Sequence, residues 1–234
     1  MNNNIICTIC VRTGSKGVEG KNIRLMHGKP LLAYSIEQAK QSCLFDCIAV
    51  SSDSQKILDI ALVYGADQVI LRPYNLADDN AAKPPAIAHC VETVEEKVDK
   101  KFEIIVDLDA TSPLRSVDDI CNAVKLLQTS GAGNVITGTQ SYRSPYFNMV
   151  EKASDGTIRI CKTLNKSIVR RQDAPQCFDM NASIYVWSRE AFFKGPIVFR
   201  DDTQIYLMPP ERSMDIDKEL DWDLVQFLMY KKGV

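Results

Sequence analysis

Short apolar runs alternate along the chain with longer stretches whose apolar positions recur every three to four residues. The short runs, rich in Ile, Val and Cys, predict strands at residues 5–11, 47–51, 68–71, 103–108 and 134–138. Between them the helical period predicts helices at 30–42, with Pro30 in its first turn, 54–64, closed by Gly65, 85–98 and 117–129. Strands that are apolar throughout and separated by helices belong to a parallel sheet covered on both faces. The expected fold is therefore a single α/β domain over residues 1–234, three layers deep, around a mostly parallel sheet.

The rhythm loosens between residues 141 and 171. Two short β-like stretches there, 149–152 and 157–162, flank Ser154-Asp155-Gly156 and predict a hairpin on an insertion. The pattern then resumes with a core strand at 183–187, an edge strand at 204–208 and a closing helix at 218–231.

Directly after the first strand come Arg12-Thr13-Gly14-Ser15-Lys16-Gly17-Val18-Glu19-Gly20-Lys21-Asn22. Glycines with cations at the carboxyl end of a first strand make a cradle for a polyphosphate. The spacing is not that of a P-loop, because five residues separate Gly14 from Gly20 and Asn22 follows Lys21. No Gly-x-Gly fingerprint of a dinucleotide fold occurs either. Arg12, Ser15 and Lys21 are the candidate triphosphate ligands; Lys16 is either a fourth or a solvated side chain.

Ligands of open α/β sheets sit beyond the carboxyl ends of the strands, so the other strand ends carry the remaining candidates. After residues 47–51, Asp53 or Ser54 reads as a helix cap. Arg72 faces either a base or phosphate, or a surface carboxylate. Asp107 and Asp109 share one face of their strand, and a carboxylate in so apolar a run needs a partner or a ligand. That makes Asp109 a candidate for a substrate hydroxyl or a metal, with Ser112-Pro113 as the cap of the next helix. In Ser213-Met214-Asp215-Ile216-Asp217 the two carboxylates fall on one side of an extended segment. Paired hard oxygens suit Mg²⁺, which takes one or two carboxylates beside substrate phosphates; a helix cap at Asp217 explains only one of them. Arg170 and Arg171 form either an anion fork or a charged loop.

A net charge of −2 argues against a nucleic-acid-coating surface. The polar start and the lack of a long apolar run predict neither a leader nor a membrane span, and hence a cytosolic protein. Several of the eight scattered cysteines sit inside apolar runs, where a reduced Cys behaves as a small hydrophobe. Cys7 and Cys10 lie three apart on a strand, point to opposite faces and cannot grip one metal.

The motifs Arg12-x-Gly14-Ser15-Lys16-Gly17-x-x-Gly20-Lys21-Asn22, Thr111-Ser112-Pro113-Leu114-Arg115, Asn181-Ala182-Ser183-Ile184-Tyr185 and Asp215-Ile216-Asp217 occur in an order that resembles the acylneuraminate cytidylyltransferases. The resemblance spans essentially the whole chain. It implies a nucleotide-diphospho-sugar transferase-like fold, a homodimer joined through the 141–171 insertion, and transfer of CMP from CTP to an acidic nine-carbon 2-keto sugar. By the same resemblance Arg12, Gly14, Ser15, Lys21 and Asn22 hold CTP, with Arg72 near the base. Asp109, Arg171 and Asn181 meet the sugar, Arg171 from the neighbouring subunit. Asp215 and Asp217 carry Mg²⁺, and Arg12, Lys21 and Asp217 are the catalytic set. The chain departs from the sialic acid enzymes on the sugar side. Asp109 stands for a Gln, Lys83 for a Ser and Asp179 for an Arg, and 146–151 resembles the legionaminic acid branch. A nucleotide-sugar-dependent glycosyltransferase, or a nucleotide-binding protein without turnover, are the competing readings.

Overall fold

A computed structural model describes residues 4–14, 17–78, 82–165, 168–195 and 197–233. In chain order the elements are β1 (Ile5–Cys10), β2 (Leu25–Met26), β3 (Lys29–Pro30), α1 (Leu31–Ser42), β4 (Cys47–Ser52), α2 (Gln55–Val63) and β5 (Gln68–Leu71). Then follow α3 (Lys83–Val98), β6 (Ile104–Leu108), α4 (Val117–Ser130), β7 (Asn134–Gln140), β8 (Val150–Lys152) and β9 (Ile158–Ile160). The chain closes with β10 (Phe178–Ser188), α5 (Arg189–Lys194), β11 (Gln204–Leu207) and α6 (Glu219–Lys232). The expected rhythm is present. Pattern reading missed the β2–β3 hairpin and α5, which are too short to leave a period.

Seven strands form one sheet in the order β11-β7-β10-β6-β1-β4-β5. All neighbours run parallel except β10, which is antiparallel to both β6 and β7. The chain moves outward from β1 to β4 and β5, then returns to place β6 on the other side of β1. That reversal opens a crevice beyond the carboxyl ends of β1 and β6.

Alternation on β1 divides the core. Ile5, Cys7 and Ile9 join one cluster with α1, α2 and α4 side chains, whereas Ile6 and Cys10 pack with Ile87, Cys90 and Val91 of α3 on the opposite face. Cys7 and Cys10 do point apart, both as free thiols. A third cluster lies beyond the strand ends, where Val18, Leu31, Tyr34, Leu114, Ile216 and Trp222 meet. It glues the loop after β1 to the segment before α6.

Several expected boundaries move for local reasons. Pro30 occupies the N-cap position of α1 and not its first turn. Ser116, not Ser112, caps α4, in a reciprocal box with Asp119. Lys218, not Asp217, stands at the N-cap of α6, and Asp221 accepts from the amides of both Asp217 and Lys218. The excursion between β7 and β10 covers 141–177 and carries the β8–β9 hairpin at its tip. Among the described residues no helix is long and apolar enough to cross a membrane.

Candidate active site

The loop after β1 is fastened at each end. The Thr13 amide and hydroxyl both donate to Asp53, at 3.0 and 2.7 Å, so Asp53 anchors the loop, and of the two expected cap residues it is Ser54 that stands at the N-cap of α2. The Asn22 amide donates to the Arg12 carbonyl at 2.9 Å. The Leu31 and Leu32 amides at the start of α1 are taken by the Arg24 and Asn22 carbonyls. Those two helix amides are thus already engaged within the protein. Ser15 and Lys16 lie outside the described residues. Gly14 has open space where a side chain would stand.

Gly17 is different. A Cβ there would lie 1.7 Å from the Asp217 carbonyl oxygen, so the loop and the Asp215–Asp217 segment touch backbone to backbone. Lys21 reinforces the joint: its Nζ donates to the Ile216 carbonyl at 2.5 Å and stands 3.7 Å from the Asp217 carboxylate. Ile216, fully buried, donates its amide to Thr111 of the loop after β6. Three segments far apart in sequence therefore converge on one point.

The Asp215 and Asp217 side chains share a segment but not an environment. Asp217 is mostly exposed. Asp215 is half-buried, and its Oδ1 is sealed from solvent without a hydrogen-bond partner. Burial pushes the Asp215 carboxyl up, and the like charges of Asp109 and Asp217 push it further, against hydrogen bonding from Thr111 and the charge of Lys21. A buried carboxylate oxygen with no donor is a costly arrangement that a cation relieves. No group of three or more His, Cys, Asp or Glu side chains with metal-ligand geometry occurs among the described residues. The donor set therefore fits a hard cation shared with phosphate oxygens, not a closed protein cage.

Opposite stands Lys83, whose importance pattern reading did not see. Its Nζ lies 2.7 Å from Oδ2 of Asp109, as a hydrogen bond, and 2.7 Å from Oδ2 of Asp107, as an ion pair. A cation at a helix N-terminus opposes the helix dipole; here two carboxylates override it. Burial alone would lower the Lys83 ammonium, but the two charges hold it protonated well above its ordinary range. Burial likewise raises the Asp109 carboxyl, and Lys83 with Thr111 outweighs that and holds it far below the usual range. Asp107 and Asp109 do share a face, and the lysine reads both. Asp109 Oδ1 accepts from the Thr111 amide and hydroxyl. Most of its accepting capacity is spent inside the protein.

Arg72 is buried, and donates to the Val11 carbonyl at 2.5 Å; among the described residues it forms no ion pair of the kind its position also allowed. Arg12 donates to the Asp78 carbonyl at 2.8 Å. Together with Cys10, Lys83 and Asp109 these arginines line a cavity of about 220 Å³ at the strand ends.

Two expected sugar ligands are placed apart from this constellation. Asn181 sits at an irregularity of β10, buried, with Oδ1 accepting from the Thr137 hydroxyl and the Ser183 amide and Nδ2 on Met208 sulfur. Its amide is thereby engaged with Thr137, Ser183 and Met208 within the protein. Arg171 belongs to the excursion, where its guanidinium donates to the Ser141 carbonyl and covers the Tyr142 ring. It borders a separate cavity of about 340 Å³ at the excursion's root.

Cations, a sealed carboxylate oxygen and a cavity at the switch point of a parallel sheet describe a polyphosphate site. The comparisons specify its kind. The chain is 40% identical over 230 residues to CMP-N,N'-diacetyllegionaminic acid synthase of Campylobacter jejuni, covering 98% of this chain and 97% of that protein. It is 41% identical to post-translational flagellin modification protein B of Campylobacter coli, with the same coverages. The solved structure of CMP:2-keto-3-deoxy-manno-octonic acid synthetase complexed with CTP superposes with a TM-score of 0.66 at 13% identity, over 97% of this chain and 99% of that one, and so shares the fold. The model of the family described as cytidylyltransferase matches residues 6–223. From within β1 into α6, past both the loop after β1 and the Asp215–Asp217 segment, the chain carries one family's pattern, and it belongs to the cytidylyltransferases.

Proposed function

We propose that this enzyme transfers CMP from CTP to the anomeric hydroxyl of a nine-carbon 2-keto acid sugar of the legionaminic type, releasing pyrophosphate. The observation that carries this reading is the weld between residues 12–22 and 213–218, because a triphosphate cradle in contact with a sealed carboxylate is what nucleotidyl transfer needs. The legionaminic assignment is supported by the two synthases of that name, 40% and 30% identical.

The anomeric oxygen attacks the α-phosphorus and pyrophosphate leaves in line. Lys21 and Arg12 stand where negative charge must be neutralised, fixed in advance by the Ile216 and Asp78 carbonyls. Preorganised cations of this kind lower the barrier without reorganising during the reaction. Arg72 and Asn22 hold the loop backbone that lines the nucleoside end. Asp215 and Asp217 are the residues that would hold Mg²⁺, which when bound supplies charge neutralisation for the triphosphate. Lys83 offsets Asp107 and Asp109, leaving one net negative charge where two would face an anionic substrate.

The enzyme acts as a homodimer joined through residues 141–177. The excursion exposes Tyr142, Val150, Ile158 and Val169, each more than half accessible, and a soluble chain seldom leaves such a group uncovered. Arg171 then reaches the sugar of the neighbouring site. Free thiols throughout accord with a cytosolic setting.

Pyrophosphate release with CTP, against a panel of legionaminic, pseudaminic, neuraminic and eight-carbon 2-keto acids, tests the reading. Release with legionaminic acid above all others is expected; none with any acid overturns it, and the same rate with UTP overturns the base assignment.

A further inference from the structure

Asp119 has no accessible surface, yet it is neither in the crevice nor in an apolar cluster. It is the most heavily bonded carboxylate in this part of the molecule. Arg212 grips it with both prongs, Nε to Oδ2 at 2.8 Å and Nη2 to Oδ1 at 2.9 Å. The Ser116 amide and hydroxyl donate to Oδ2, and the Tyr206 hydroxyl to Oδ1 at 3.3 Å. Burial alone raises the Asp119 carboxyl; Arg212 and Ser116 outweigh it and hold it below the usual range.

The position of this pair gives it meaning. Ser116 ends the loop that begins at Asp109, and Arg212 ends the 3-10 turn Pro210–Arg212, immediately before the Ser213–Asp217 run. That run has no regular structure, and Ile216 to Thr111 is its one backbone hydrogen bond to the loop after β6 among the described residues. Downstream, Asp221 fixes Asp217 and Lys218. Upstream, the Ser213 amide and hydroxyl bond back to Pro210, Met208 and Pro209 of its own turn, and among the described residues the bonds from Arg212 to the cap of α4 are those of its side chain. Asp215 lies three residues beyond it.

We infer that Asp119 and Arg212 are a positioning pair that sets the Asp215–Asp217 segment against the Asp109–Ser116 loop, and so tunes the cation site; this rests on the reading of Asp215 and Asp217 given above. Groups that orient ligands from behind typically change metal affinity by about 10–100-fold when removed. The guanidinium also borders a solvent-open cavity of about 400 Å³ shared with Gln38, Leu114 and Met229. A free guanidinium ion can therefore enter where Arg212 has been cut away.

The test is Mn²⁺ binding followed by electron paramagnetic resonance in the presence of CTP, with thermal melting recorded on the same samples. Arg212→Ala is expected to weaken Mn²⁺ by about tenfold or more, and millimolar guanidinium to restore it. Arg212→Lys, which cannot make the two-pronged contact, falls between. Asp119→Asn weakens Mn²⁺ without rescue by guanidinium. Arg189→Ala is the control, since it removes an equally two-pronged pair with buried Glu95. Unchanged Mn²⁺ affinity in Arg212→Ala, or an equal loss in the control at equal melting temperature, overturns the inference. A wild-type chain that holds no Mn²⁺ with CTP overturns the parent reading, and this one with it.

Discussion

At the carboxyl end of β1, residues 12–22 and 213–218 are pressed together so closely that one added carbon at Gly17 would strike the Asp217 backbone. Residues 141–177 leave the same end of the sheet, from β7, and do the reverse: they carry a two-stranded hairpin outside the main sheet and expose apolar side chains. The first region is complete within one chain. Its cations are aimed, its loop is anchored at Asp53, and its joint is filled by Val18, Ile216 and Trp222. The second offers an arginine, a cavity and an uncovered surface. The contrast teaches that the strand-end site is fastened within one chain, whereas the excursion presents an arginine and uncovered apolar side chains that the proposed dimer would cover.

The largest expected effect strikes the strand-end site. Asp215→Asn should cut turnover by about 10²–10³-fold, the scale of one preorganised electrostatic contact in a closed site, and exposed Asp217→Asn by at least about tenfold. Pyrophosphate release at saturating Mg²⁺ measures both, and unchanged rates would refute the cation assignment. Next comes Gly17→Ala. Because the new methyl group meets backbone and not a movable side chain, loop and segment must part, and kcat/KM should fall by about 10²-fold for a displacement near 1 Å. A normal rate in that variant would show that the two segments need not touch.

The excursion is expected to answer differently. Arg171→Ala and Asp217→Asn should each be strongly impaired alone and rise to about a quarter of wild-type activity when mixed, since half the random dimers then hold one intact site of two. No recovery would place Arg171 in its own subunit's site or outside catalysis. Val150→Asp with Ile158→Asp should dissociate the dimer in sedimentation while the melting temperature of the sheet moves by only a few degrees, as exposed positions allow.

The smallest effect is on acid stability. Asp109 and Asp119 both have native carboxyls held below their unfolded range. The stability they contribute is therefore present above the unfolded value near pH 4 and is lost as pH falls through the native values. Melting temperature should be flat in this respect above about pH 5 and decline below about pH 4. Asp119→Asn should make that decline shallower; an unchanged slope would remove Asp119 from the account.

Much of this was legible along the chain. Strand and helix periods, the run from Arg12 to Asn22, the alternation Asp215-Ile216-Asp217 and the shared face of Asp107 and Asp109 all depend on neighbours within a few residues, and sequence reports such neighbours directly. Asp53, Ser112 and Asp217 were open to reading as helix caps because Asp and Ser are good caps anywhere. Only the fold decides whether Thr13 or a helix amide reaches the carboxylate first. Lys83 showed only as a departure from the resembled family's Ser, and nothing local pointed to its two partners, which lie 24 and 26 residues on. Asn181 carried a motif, and the structure spends its amide on Thr137 and Ser183.

The chain by itself determined its class, its family resemblance and the two ends of its nucleotide site, because those follow from periodicity and from short motifs. Tertiary structure decided that Gly17 must be a glycine, that Lys21 is aimed by the Ile216 carbonyl, and that Asp119 joins two loops from behind. Each of these rests on contacts between residues about 90 to 200 positions apart, and only the folded sheet brings such residues within a hydrogen bond of one another.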